Sequence, residues 1–409
     1  MAWPIYVELL TAVVAVSVID LLWVASLGQQ AIAIVTVATT LEYLAYGVFL
    51  AIPCGLTVVI GRGAPTGPAM RYGWLLWAAA SALIVIPALF LRSHLAFGTG
   101  AEGFLLISLG GLPVYFAQTI VDGVAKGLGN TRIPMRHALI CNALVIGLDP
   151  LFILGFDLGV NGAAWATLAA RVVTLAISFR TLPPMTRGPF TGGILRTGLP
   201  MSGDFLARDV VGWLQTGLVA SFGTATLAGY GVGQKVMLAG VMAFYALKQA
   251  AMIATARSQT IGSPLRLGLG AGVVAAVAVN LLAVPAGWLF GGDPVDFLRW
   301  MALYLVPFGG LIAVSGRMQA EGRGGRLLVA TLAGFAVQLP LAYGLSAWLG
   351  VTGVWLAMAA GATISLIAAL SLGRLSPGGG SALRGSGPAS APGPAPRSTR
   401  TAATPPSGP

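Results

Sequence analysis

Runs of about twenty apolar residues, separated by short polar breaks, recur along most of the chain. A helix rises about 1.5 Å per residue, so each run is long enough to cross roughly 30 Å of hydrocarbon. The period-2 alternation of a membrane β-barrel is absent. The pattern predicts twelve helical spans. The first six cover 4–26, 31–60, 72–91, 102–126, 135–156 and 158–178; the second six cover 197–222, 226–256, 266–290, 297–319, 327–347 and 350–372. The second and eighth runs are long enough to tilt or to continue past the hydrocarbon. Residues 375–409 differ in kind: rich in Pro, Gly, Ser and Ala and without an apolar face, they read as disordered.

Composition supports the membrane reading. The mean hydropathy is +0.86, and charged residues make up only 9% of the 409, well short of what a soluble surface carries. The net charge of +11 is spread singly between apolar runs, a topology signal rather than a nucleic-acid footprint. Arg62, Arg71, Lys126, Arg132, Arg136, Arg180, Arg187, Arg196, Arg257, Arg266, Arg317, Arg323, Arg326 and Arg374 fall on one side. The other side holds little beyond Arg92, Arg299, Asp157, Asp293 and Asp296. The positive-inside rule then places both termini in the cytoplasm, which an even number of crossings allows. The opening MAWPIYVELL has no basic region and no clear cleavage signal, so the first span is expected to be retained.

The two halves resemble each other at an offset of about 191–196 residues. LGVNGAAWATLAA from Leu158 aligns with LGVTGVWLAMAAG from Leu349, which pairs Gly159, Gly162 and Ala166 with Gly350, Gly353 and Ala357. Gly129 pairs loosely with Gly322, Pro4 with Pro200, and Gly28 with Gly223. The expected organisation is a first six-helix lobe over 1–178, a cytoplasmic connector over 179–196, a second lobe over 197–373 and a cytoplasmic tail over 374–409. Parallel repeats of this kind commonly bind substrate between lobes. Small residues at these positions also have a packing account, since they let helices approach closely in lipid.

Polar groups inside the spans narrow the chemistry. Asp20 lies in the first span and Asp149 in the fifth. A carboxylate facing lipid is costly, so both are expected to face the interior, protonated or paired. Pro150 interrupts the helical ladder and is expected to bend its span. Asn142 lies about two turns before Asp149 on roughly the same face. Thr167, in the sixth span, can join a network or bond its own i−4 carbonyl. These four fit either a proton- or cation-sensitive site or a network that only fixes packing. Two carboxylates in one lobe favour the former, because neighbouring carboxylates raise one pKa or recruit a counter-ion.

In the second lobe Asp204 and Arg208 have the spacing of a pair along one helix face, which Asp209 is poorly placed to share. Lys235, Lys248 and Glu42 can each line a cavity, snorkel or form a local pair. Trp213, Tyr230 and Tyr245 suit either an aromatic pocket for organic cations or ordinary interface anchoring. Chemistry for catalysis is missing. There is no GxxxxGK[ST] loop, no HExxH, no cysteine metal motif around Cys54 or Cys141, and only two histidines, His94 and His137. No nucleophile and base occur together, so an enzyme is not expected, and no selectivity-filter repeat suggests a channel.

Three stretches resemble the multidrug and toxic compound extrusion (MATE) family. The first span carries Pro4, Ile19-Asp20 and Ser26-Leu27-Gly28. The strongest stretch is GLGNTRIPMRHALICNALVIGLDPLFILGFDLGVNGAAWATLAARV from Gly127. GYGVGQKV follows from Gly229. The likeness covers about 1–373. It implies an all-α polytopic protein of twelve transmembrane helices, in two pseudo-symmetric six-helix bundles around a central cavity. It implies antiport, with organic cations or other amphipathic compounds leaving by alternating access as protons or sodium ions enter. No cofactor is implied beyond the coupling ion.

Asp20, Asp149, Asn142 and Thr167 take the coupling role, with Asp20 and Asp149 as metal ligands only if sodium couples. Asp204, Trp213, Tyr230, Gln234 and Lys248 become the candidates for substrate contact. The expected partners are small molecules and membrane lipids, with no nucleic acid, for a monomer in the inner (plasma) membrane. Val145 departs from the family pattern, which often has Asn four residues before the fifth-span Asp, and this weakens the coupling assignment. The alternative function is a flippase or exporter for lipid-linked precursors or polysaccharides. A third is a non-transporting scaffold.

Overall fold

A computed structural model describes residues 2–11, 23, 27, 29–96, 100–189, 193–259, 262–290 and 294–374. Asp20, Gly28, the end of the predicted first span at 24–26 and the segment 375–409 lie outside the described residues. The first half contains α1 (Ala2–Leu9), α2 (Gln29–Phe49), α3 (Ala51–Gly61), α4 (Thr66–Phe90), the short α5 (Arg92–Leu95), α6 (Glu102–Gly127), α7 (Arg132–Pro150) and α8 (Gly159–Ser178). The second half contains α9 (Ile194–Ala220), α10 (Thr224–Ala256), α11 (Pro264–Phe290), α12 (Val295–Ala320), α13 (Gly324–Leu349) and α14 (Val351–Arg374). No strand occurs among the described residues. Among the described residues ten helices are long and apolar enough to cross a membrane. Outside that ten, α9 carries Arg196, Asp204, Arg208 and Asp209 in one helix, while the first span is described only in part.

Proline sets the two main irregularities. Pro53 has no N–H to return to the Phe49 carbonyl, so the predicted second span divides at Leu50 into α2 and α3. Hydrogen bonds from Leu50 to the Tyr46 carbonyl and from Cys54 to the Leu50 carbonyl keep the two pieces continuous. Pro150 ends α7, and Leu151–Gly155 continues as one π turn, closed by the Phe156 N–H on the Leu151 carbonyl. The expected bend beside Asp149 is therefore a local change of hydrogen-bond register.

Each half has its own core. In the first, Phe49 and Phe116 stack with ring centroids 4.1 Å apart within a cluster that includes Leu56, Leu105 and Ile120. In the second, Phe244, Phe297, Phe308 and Trp355 lead a separate cluster. The backbone repeats between halves as the aligned glycines suggest. Gly159 and Gly350 both have positive φ (54° and 60°), as do Gly129 and Gly322 (83° and 80°). A Cβ on Gly162 would strike the Phe152 backbone, and one on Gly353 the Leu345 backbone, so each glycine lets its helix lie close on the preceding turn.

The halves meet through helix backbones at one end. There α9 crosses α3 so closely that a Cβ on Gly198 would fall on the Ala51 carbonyl, and one on Gly55 on the Ile194 carbonyl. Val58 from α3 joins Met201, Met252, Ala256 and Ala320 from the second half in one buried cluster, with Cys54 against it. Ile5 of α1 packs on Ala246 and Ile253 of α10. Arg62 donates from Nε (3.0 Å) and Nη2 to the Ala320 carbonyl, and Arg257 from Nη1 to the Gly127 carbonyl at 3.2 Å. Partial burial pulls the Arg62 pKa below the ordinary arginine value. This end carries most of the loop arginines and is called the basic end below.

Candidate functional site

The second half gathers charge around one carboxylate. Asp204 sits nearly three turns into α9, 1% exposed, too deep to be solvated by water. It is held instead by three neighbours. Arg208, one turn along α9, donates from Nη2 at 3.1 Å and from Nε at 3.3 Å. Thr331 of α13 donates its hydroxyl at 2.6 Å. Lys248 of α10 places Nζ 3.9 Å away, an ion pair beyond hydrogen-bond length. The Phe308 ring lies 5.6 Å from the Arg208 guanidinium and the Tyr245 ring 5.9 Å from the Lys248 ammonium, both within cation–π range. Two cations around one carboxylate leave the cluster at net +1. Asp209 takes no part in it.

The other second-half candidates separate into different settings. Tyr230 is buried, stacked on Trp355 (5.5 Å) and edge-on to Phe297 (5.0 Å). Its hydroxyl accepts from Gln234 Nε2 at 2.6 Å. Core packing thus accounts for most of the ring, while Gln234 is exposed. Trp213 is 72% exposed on α9, one turn beyond Asp209, away from Tyr230's stack. A separate apolar recess of about 740 Å³ on α13, lined by Val337, Leu341 and Trp348 among others, has no charged lining residue and suits lipid contact rather than ligand chemistry.

In the first half Asp149 and Asn142 are both buried on one face of α7, with buried Val145 between them. Thr167 is half-buried on α8, which packs against α7. Asp20, the fourth member of the expected set, lies outside the described residues. Among the described residues no group of three or more His, Cys, Asp or Glu side chains gathers as a metal site.

The MatE family model matches residues 4–151. The probable multidrug resistance protein YpnP of Bacillus subtilis is 23% identical over 63% of this chain and 64% of its own length. Protein DETOXIFICATION 45, chloroplastic, of Arabidopsis thaliana is 26% identical over 47% of this chain and 38% of its own length. The matches therefore span less than two thirds of these two relatives. The chain also superposes on an outward-facing multidrug resistance MATE transporter of the MOP superfamily with a TM-score of 0.82 at 20% identity, covering 91% of this chain and 94% of that one. The likeness extends to MATE in complex with MaD5, with a TM-score of 0.83 at 21% identity and the same coverage. The first part of the chain is thus similar to the MatE family. The solved structures establish the fold of the chain, twelve membrane helices in two bundles.

The chain also carries intramembrane charge outside the predicted set. Arg171 of α8 lies 3.5 Å from Glu42 of α2 and 4.7 Å over the Tyr115 ring of α6. A lone arginine within AARVVTLAIS was the available signal, since ionisable residues in spans rarely face lipid. Gln118, Asp122 and Lys126 recur at i, i+4 and i+8 on α6, a helix-face spacing. Lys126, read as a loop charge, is instead mostly buried inside α6 and bonded at 2.7 Å to Glu8 of α1.

Proposed function

We propose that this chain is a secondary active antiporter of the plasma membrane. On this reading it exports organic cations or other amphipathic compounds in exchange for protons or sodium ions by alternating access. The observation that carries the reading is the pairing of buried carboxylates in both halves with a seam at the basic end where α3 and α9 meet on glycines. Glycines against backbone carbonyls let the two helices approach closely there. The names of the Bacillus and Staphylococcus relatives, multidrug resistance protein YpnP and multidrug export protein MepA, support the efflux role. The positive-inside rule puts the basic end in the cytoplasm, so this arrangement is closed inside, in keeping with its likeness to an outward-facing transporter.

Coupling requires that ion and substrate bias the same equilibrium in opposite senses. Asp149 is fully buried on α7, next to the π turn that Pro150 imposes. Charging or neutralising it alters the most adjustable point of that helix. With Asp20, Asn142 and Thr167 it forms the proposed coupling site, while the Asp204, Lys248, Tyr230, Gln234 and Trp213 region serves the substrate. Asp149→Asn is expected to lower gradient-driven transport at least about tenfold, a change of about 1.4 kcal/mol, with an unaltered melting curve. Asp20→Asn should behave alike. Gradient-driven transport at the wild-type rate by both variants, measured in proteoliposomes, removes the coupling role.

The net positive charge around Asp204 favours one second reading, a lipid-linked precursor carrying an anionic headgroup. Movement of such a lipid without exchange of small organic cations would select it.

A further inference from the structure

One face of α6 ties three other helices of the first half together through polar side chains. Gln118 reaches α8, where Ser178 donates its hydroxyl to the Gln118 Oε1 at 3.1 Å. Asp122 reaches α7, where its Oδ1 lies 2.7 Å from the Nδ1 of buried His137. Lys126 reaches α1 and donates to Glu8 Oε1 at 2.7 Å, leaving Glu8 Oε2 buried without a partner. Gln118 Nε2 is 3.1 Å from both Asp122 Oδ1 and His137 Nδ1, so three polar atoms form a triangle. Nδ1 cannot donate its proton to Asp122 and accept one from Gln118 at once. A neutral ring can serve either partner by its choice of tautomer, whereas a protonated ring makes Nδ1 a donor only, directed to Asp122.

The cluster reaches the seam between halves. Glu8 lies on α1, and one turn before it Ile5 packs on Ala246 and Ile253 of α10. Whatever fixes Glu8 to Lys126 also fixes α1 against the second half.

The charges give a sign. Glu8, Asp122 and Lys126 with a neutral imidazole sum to −1, so two carboxylates compete for one ammonium that stands one turn from Asp122 and in contact with Glu8. A proton added to the imidazole brings the sum to zero. Asp122 is then satisfied by His137, and Lys126 is left wholly to Glu8. Other groups close enough to Asp122 to interact electrostatically are Tyr46 of α2 and Tyr115 of α6. From α3, Cys54 interacts with Lys126, and Thr57 spends its hydroxyl on the Pro53 and Gly123 carbonyls. Arg171 of α8 is turned to Glu42. Arg71 of α4, Arg132 and Arg136 of α7, and Arg180 beyond α8 are exposed.

We propose that the Asp122–His137 pair is a proton-binding site, distinct from Asp20 and Asp149, and that its occupancy tightens the basic-end seal through Lys126, Glu8 and α1. The alternation it acts on is that of the proposed antiporter, but the test below needs no transport.

The test is a distance measurement across the basic end of the full chain in lipid nanodiscs. Spin labels go on Arg132→Cys at the start of α7 and Gly325→Cys on α13, both exposed, with open space beside Gly325. Cys54 and Cys141 are replaced by Ala. Spectra at about pH 5.5 and about pH 8.5 bracket the ordinary histidine range. The unsubstituted pair is expected to show the short distance at the lower pH and a longer population at the higher, the ratio changing at least about tenfold, as a 1.4 kcal/mol bias would give. Asp122→Asn and His137→Gln, which keep hydrogen-bonding groups, should each lose most of that response. If Asp122→Asn does not fold, His137→Gln decides. A wild-type ratio that ignores pH overturns the proposal, as does a response that survives undiminished in His137→Gln. A null transport result beside the expected distances would count against the antiport reading only.

Discussion

Asp204→Ala is expected to destabilise the protein by about 3–5 kcal/mol, the cost of stripping one partner from a buried ion pair. The size follows from what is left behind. Arg208 and Lys248 both lean on this one carboxylate, and without it two cations face each other in a medium that screens them poorly. Thr331, itself fully buried, loses the acceptor it reaches at 2.6 Å. Arg208 is tied in also by a 3.2 Å contact with Thr331 Oγ1, which cannot replace a carboxylate. Asp204→Asn should cost nearly as much, because it keeps the shape and removes the charge. Combining Asp204→Ala with Arg208→Leu should recover part of the loss, since the second change removes one of the stranded cations, and a double-mutant cycle isolates the coupling. Unfolding measured in detergent micelles decides the matter: a loss for Asp204→Ala under about 1 kcal/mol would mean that water reaches the cluster.

Gly198→Leu is expected to open the basic end. The position has no side chain to give way, because a Cβ there would fall on the Ala51 carbonyl itself. The reciprocal contact of Gly55 with the Ile194 carbonyl stops α3 from sliding aside. Overpacking of this kind costs about 1–3 kcal/mol even where side chains can adjust, and a backbone-on-backbone contact belongs at the upper end of that range. Only the sealed arrangement bears the strain. The balance between sealed and open states should therefore move by about ten- to a hundredfold. Cys54 reports it directly, since it is half-buried against Val58, Met201, Met252, Ala256 and Ala320 at the seam. In a Cys141→Ala background, the rate of Cys54 labelling by a water-soluble maleimide should rise by that factor. An unchanged rate would show that α3 and α9 part without help and that the glycine contact does not set the seal.

How far these features could be read from sequence depends on how local they are. Span limits were legible because hydrophobic runs and their Gly or Pro boundaries are properties of neighbouring residues. The predicted 197–222 and 297–319 are found as Ile194–Ala220 and Val295–Ala320. The repeat was legible for the same reason: Gly159 and Gly350 recur because the backbone there needs positive φ twice. The Asp204–Arg208 pair followed from one helix turn. Lys248 and Thr331, which complete that site, come from two other helices, and nothing in the spacing says which faces meet. Asp122 and His137 were hidden similarly, being 15 residues apart on consecutive helices. Their visible half was the Gln118, Asp122, Lys126 stripe. Tyr230 shows the opposite limit: an aromatic residue in a span reads equally as pocket wall or core, and its stacking on Trp355 and Phe297 gives it a core setting that the sequence left open.

The central claim is that two bundles, closing on a small-residue seam, use a cation gradient to move a substrate across the membrane. Reconstitution into proteoliposomes with an imposed proton or sodium gradient, assayed with a panel of fluorescent organic cations, addresses it most directly. Substrate is expected to move against its own concentration gradient, opposite in direction to one of the two ions, and to stop when that ion's gradient is collapsed by an ionophore. Movement that only equalises substrate concentrations at the same rate with and without either gradient would contradict the claim.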